Sequence, residues 1–218
     1  MTQEHIERSY NVTGTAVLTV ANISGTVDIR VGDEGVITVD AVKHDDGDVE
    51  HTRVEIKQDD QGAVSIKTDY GESVWRFFGQ RPCSVDYVVR TPRNTALQLK
   101  CVSSASTVKG LVGKIDINTI SGDCTVSDLS GPMTMNLVSA RITGEGLSGG
   151  ANVSTVSGDV VLTRSNFPTL HINTVSGALT VDTPLGNGPY DFHSVSGDAK
   201  LLVQTDAGCT VDFTSLSG

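Results

Sequence analysis

Apolar residues return along this chain at fixed distances from a recurring serine. Segments such as NISGTVDI, TISGDCTV, TVSGDVVL, TVSGALTV and SVSGDAKL align on Ser24, Ser103, Ser121, Ser139, Ser157, Ser176, Ser196 and Ser217. Six residues before these anchors stand Leu18, Leu97, Ile115, Met133, Ala151, Leu170, Tyr190 and Val211. Four before stand Val20, Leu99, Ile117, Met135, Val153, Ile172, Phe192 and Phe213. One before runs Ile23, Val102, Ile120, Val138, Val156, Val175, Val195 and Leu216, and two more apolar columns follow at three and five residues after the anchor. Residues two apart share one face of a strand, so the six-before and four-before columns point together. The mostly polar residues between them, Asp116, Thr134, Asn152, His171 and Asp191, point the other way.

Each unit therefore predicts a strand, a Ser-Gly corner, a second strand and a second corner near Leu129–Gly131 or Leu147–Gly149. A unit of about 18 residues cannot bury its own apolar side, but stacked copies can, about 4.8 Å apart. The fold class expected is all-β, a single parallel β-solenoid of eight rungs, on the order of 40 Å tall at that spacing. From Ser103 onward the anchors lie 18, 18, 18, 19, 20 and 21 residues apart. That drift, without strict six-residue apolar spacing, favours a right-handed coil over the left-handed hexapeptide helix. Glycine suits a corner of positive φ. Eight serines suit a structural ladder better than a nucleophile, which is needed once.

Between Ser24 and Ser103 the period breaks. EGVITVDAVKH and HTRVEIKQ alternate on either side of an acidic turn and read as a hairpin; AVSIKTD and CSVDYVVRTP supply further strands. Residues 1–95 are expected to hold the first rung and a β-rich cap, and residues 96–218 the regular rungs of one continuous domain. Within the cap, YGESVWRFFGQRP gathers Tyr70, Trp75, Arg76, Phe77 and Phe78. It either plugs the rod end or forms an exposed docking loop. At the other end FTSLSG stops on the signature, so Phe213 and Leu216 would line an open edge able to take another copy head to tail.

The lead-in VLTVANISGTVDI, the strand VITVDAVK and the TVSGDVVL and SVSGDAKL copies resemble the bacterial DUF4097 family, whose members carry an adhesin label. The resemblance covers nearly the whole chain. It implies a β-solenoid of uncharacterised function, sometimes attached to membrane anchors, and supplies no catalytic residues. A weaker resemblance is to bactofilins, solenoids that polymerise end to end.

Composition narrows the function. A formal charge of -10 makes nucleic acid and anionic membranes poor partners. MTQEHIERSYNVTG lacks the basic start and apolar run of a signal peptide, and no run is long enough to span a bilayer, which leaves only indirect membrane association. Cys83, Cys101, Cys124 and Cys209 show no CxxC spacing, so buried free thiols in a reduced, cytoplasmic setting are expected. GLSGG at Gly146–Gly150 matches a nucleophile elbow as a string, yet DLSGP fills the same slot one rung earlier, which makes it a corner. KHDDGDVEH offers histidines and carboxylates in an order unlike a calcium loop, and no metal or cofactor is implied. Asp123, Arg141 and Asp159 fall in one column and form an ion ladder, while an enzyme would want clustered carboxylates. Asn118, Asn136, Ser154, Asn173 and His193 form a polar column of stacked side chains. The reading is a non-enzymatic scaffold or self-assembling module with a protein partner or itself, and no small-molecule ligand. An adhesin-like monomer binding through Trp75–Phe78 and a carbohydrate-active β-helix are the alternatives.

Overall fold

The structure, a computed structural model, describes residues 4–47, 49–70 and 83–203. Among these every regular element is a strand: β1 (Glu4–Asn11), β2 (Ala16–Val31), β3 (Val36–Lys43), β4 (Thr52–Gln58), β5 (Val64–Tyr70), β6 (Val85–Thr91) and β7 (Thr95–Lys109) come first. The regular part follows as five strand pairs, β8 (Ile115–Ser121) with β9 (Cys124–Ser127), β10 (Met133–Ser139) with β11 (Ile142–Glu145), and β12 (Ala151–Ser157) with β13 (Val160–Thr163). The last two are β14 (Leu170–Ser176) with β15 (Leu179–Asp182), and β16 (Tyr190–Ser196) with β17 (Ala199–Leu202).

The pairing is that of a parallel solenoid. Ser24 lies opposite Ser103, Ser103 opposite Ser121, and so on without a slip to Ser196, so each rung repeats the register of the last. One wall stacks β2, β7, β8, β10, β12, β14 and β16; a second stacks β2, β7, β9, β11, β13, β15 and β17. A third side is held by backbone bridges through Asn94, Val112, Ser130, Ser148 and Asn166. The six-before and four-before columns fill the interior: Leu97, Leu99, Ile115, Ile117, Met133, Met135, Val153, Leu170 and Ile172 are nearly inaccessible. Leu111, Leu129, Leu147 and Phe167 close it from the third side. Burial of such side chains contributes about 1.5–3 kcal/mol each, and copies of one column stacked on another leave no unpaired edge between rungs.

The acidic-turn hairpin expected between β3 and β4 does not form. β3 is antiparallel to β1 and to β6, while β4 pairs with β5, so the hairpin lies one strand later, across Asp59–Ala63. Alternation in sequence shows that two strands have one buried face; it does not show that they are each other's partners. β5 and β6 are also parallel to the two halves of β2, with Leu18 opposite Val64 and Val27 opposite Tyr87. Together they make a further rung, whose corner residue Ser84 stands 3.4 Å from Ser24, hydroxyl to hydroxyl. Asn22 binds this split rung to the next. Its amide donates to Val85 O at 2.8 Å and Ser24 O at 3.0 Å, and its Oδ1 accepts from Thr68 Oγ1 and Ile23 N.

Cys83, Cys101 and Cys124 are buried free thiols. Burial opposes the thiolate, pushing Cys101 up to about 12 and Cys124 up to about 11. Both are expected to resist alkylation at pH 8 in the folded chain and to react fully after unfolding. Peptide mapping of the labelled sites checks this, and rapid native labelling at either would contradict it.

Candidate functional site: the outward face of the first wall

Where the first wall turns outward, the pleat decides what is shown. Residues six, four and two before each serine point in, and those five, three and one before it point out. The column one before the serine is therefore apolar and outside. Val102, Ile120, Val138, Val156, Val175 and Val195 are 39% to 52% exposed on six successive rungs. The intervening column, two before, is buried instead through Cys101, Thr119, Leu137, Thr155 and Thr174. At about 4.8 Å per rung, the exposed ladder runs about 24 Å along the rod. Isolated exposed apolar residues are ordinary, but a contiguous row is not.

The columns beside it are polar and nearly uncharged. Asn136 donates its amide to Asn118 Oδ1 at 3.0 Å, and Asn118 donates to Asp116 Oδ1 at 2.6 Å. On the central rungs Thr134, Asn136, Val138 and Ser139 are followed by Asn152, Ser154, Val156 and Ser157. Within the strands charge appears only toward the ends, as Lys100 and Asp116 on one side and Asp191 with His171, 2.7 Å apart, on the other; on the central rungs it returns past the serines, at Arg141 and Asp159. The serines Ser103, Ser121, Ser139, Ser157, Ser176 and Ser196 border the ladder in register and are exposed.

The other candidates disperse. Arg141 donates from Nη2 to Asp159 at 2.8 Å and from its backbone N to Asp123 at 3.3 Å, around an open depression beside Ser139 and Ser157. Asp159 lies below the usual carboxylate range, first because Ala178 N donates to it and then because Arg141 does. Asp46 is lowered likewise by the Ser84 hydroxyl and backbone N. Carboxylates depressed by folding stabilise above their unfolded pKa near 4, and that contribution vanishes as pH falls through the folded values. The denaturation midpoint should accordingly fall between about pH 5 and about pH 2, with a shallower fall for Asp46→Asn. An unchanged slope in that variant would contradict the assignment.

In the acidic segment Lys43 Nζ meets Glu4 at 2.7 Å and His44 Nε2 meets Asp86 at 2.6 Å, so these side chains tie down neighbouring strands. His5, Glu7 and Asp40 bring ligand atoms within 4.8 Å of one another, the first two exposed and Asp40 partly covered, with Arg90 3.7 Å from Asp40. Ser148 of the GLSGG string is held in the third side by its backbone, its N donating to Leu129 O and its O accepting from Gly131 N. Tyr70 is half-buried, its hydroxyl donating to Cys83 O at 3.3 Å, and burial pushes it up to about 12. Trp75, Arg76, Phe77, Phe78, Phe213, Leu216 and Ser217 lie outside the described residues. No helix among the described residues is long and apolar enough to cross a membrane.

A family model described as Toastrack DUF4097 matches residues 15–218. A comparison with curated proteins finds no match. Among solved structures, a candidate cell adhesion protein from Clostridium sporogenes is 9% identical with a TM-score of 0.49, over 92% of this chain and 100% of that one. A candidate adhesin from Bacteroides fragilis is 12% identical with a TM-score of 0.48, over 92% and 95%. A structure named as a candidate lipid-binding protein, from Parabacteroides distasonis, is 10% identical with a TM-score of 0.35, over 91% and 92%.

Proposed function

The chain belongs to the Toastrack DUF4097 family, and from that premise we propose that it is a non-enzymatic interaction module, a stiff rod that docks through the outward face of its first wall. The observation that carries this is the unbroken exposed ladder from Val102 to Val195. Six rungs repeat an outward β-branched residue there, although a solvated strand face ordinarily alternates to polar. Several ion pairs, such as Lys43–Glu4, Arg90–Asp40 and Arg141–Asp159, tie one strand or rung to another, which suits a scaffold better than a catalyst. A reduced, cytoplasmic setting belongs to the same proposal and is supported by the buried thiols. The end-to-end edge at Phe213 and Leu216 and the Trp75–Phe78 loop fall outside the described residues, whereas the ladder is fully placed.

The test is a photo-activated cross-linking residue introduced at Val156, on the ladder, and at Thr143, on the second wall, in the cell of origin. Adducts at Val156 that disappear when Val138 and Val175 become lysine are the expected result. Absence of adducts at Val156, or equal yields at Thr143, would overturn the reading.

A further inference from the structure

We propose that the occupant of this face is a second copy of the chain, packed face to face with its rod axis reversed. This rests on the docking face assigned above and adds the identity of what covers it. Three observations point to it: pitch, charge and area.

The ladder presents a β-branched side chain at every rung, so its period is the rung spacing itself, about 4.8 Å. A surface that meshes with it over six rungs must carry the same period, and a copy of the same wall does so. Register between rungs is unbroken from Ser103 to Ser196, so the match does not drift along the rod.

Charge selects the same partner and sets its direction. In a chain of net charge -10, two copies repel unless they meet where charge is absent or complementary. The central strands of this face, β10 and β12, present Thr134, Asn136, Val138, Asn152, Ser154 and Val156 and carry no charge, and the Arg141 and Asp159 that follow their serines pair with each other. A two-fold axis along the strand direction, between β10 and β12, lays each column on its own copy and exchanges the two ends. β10 then faces β12, β8 faces β14 and β7 faces β16. Ladder meets ladder. Asp116 comes opposite His171 of the copy, and Lys100 comes opposite His193 with Asp191 one pleat away. A parallel arrangement turned about the rod axis at the middle of the face would instead press the valines against Asp116, His171 and Asp191. The reversed arrangement is isologous and closes at two.

Area is sufficient. Six rungs of seven-residue strand cover about 24 Å by about 23 Å, on the order of 550 Å² per copy. Two copies thus cover on the order of 1,100 Å² together, above the roughly 1,000 Å² that a biological interface must clear and in the size class of weak, reversible association.

Sedimentation velocity of the full chain from ~1 to ~200 μM tests the proposal. The expected result is a concentration-dependent species of twice the chain mass. Val138→Lys with Val156→Lys, both exposed, should weaken it at least ~10-fold while leaving the thermal melt unchanged. Asp116→Lys should weaken it as well, and adding His171→Asp should restore it. A monomer at every concentration overturns the proposal, as does a dimer indifferent to the lysine pair. If the monomer floats with phosphatidylcholine vesicles and the lysine pair abolishes flotation, the occupant is a lipid surface and the second copy is excluded. In either monomer case the Val156 cross-link still decides the docking face by itself.

Discussion

Gly177→Ala is expected to lower the melting temperature by on the order of 10 °C. Gly177 has φ of +137°, a conformation that L side chains rarely adopt, and it turns the corner after Ser176. A Cβ built there would lie 2.3 Å from Gly158 O and 2.8 Å from Gly158 C, backbone atoms of the rung below. A backbone contact cannot swing aside as a side chain can, so the two rungs must part. Lost ladder bonds and strained φ together cost at least about 3 kcal/mol. Ser176→Ala, one residue earlier and exposed, is the control and should shift the melt by no more than about 2 °C. A small effect at both positions would mean that the corner relaxes, and a larger one at Ser176 would hand the corner to the hydroxyl. Ala140 occupies the slot of Gly177 two rungs away, without a positive φ, so the slot takes a methyl group only where the chain turns differently.

Asn22→Leu is expected to cost about 3–5 kcal/mol despite conserving volume and apolar packing. Asn22 is 1% exposed and uses both ends of its amide, donating to Val85 O and Ser24 O and accepting from Thr68 Oγ1 and Ile23 N. Leucine would leave Val85 O buried, and Ile23 N part-buried, without these partners. Thr68 keeps one bond, since its hydroxyl is also 2.7 Å from that of Tyr87. The damage should be local to the split rung: hydrogen exchange would quicken in β5 and β6 well before β12. Uniform acceleration along the rod, or stability within about 0.5 kcal/mol of the parent, would show that the network is not the fastening it looks to be.

The repeat could be read in the sequence from Ser103 onward because its apolar columns coincide with the burial period of two. The same arithmetic carried one step further places the column before the serine outside, since it is an odd number of residues from the four-before column. Its β-branched residues hid that, because they satisfy strand propensity whether or not they are buried. The two-before column was hidden for the opposite reason: Thr119, Thr155 and Thr174 are polar by type yet buried. The split rung escaped notice because Val85, not glycine, follows Ser84, and because the corner is interrupted between Tyr70 and Cys83. The pairing of β3 with β1 and β6 is set by which strands stack below β2, a tertiary fact that local alternation does not contain.

Tyr70 and Cys83 end up hydrogen-bonded neighbours although twelve residues separate them in the chain. That contact draws the split rung together: β5 and β6 reach β2 at two separate places, and the Tyr70 hydroxyl and the Cys83 carbonyl join their facing ends. The interrupted rung is thus clasped rather than continuous, and Tyr70 is its buckle.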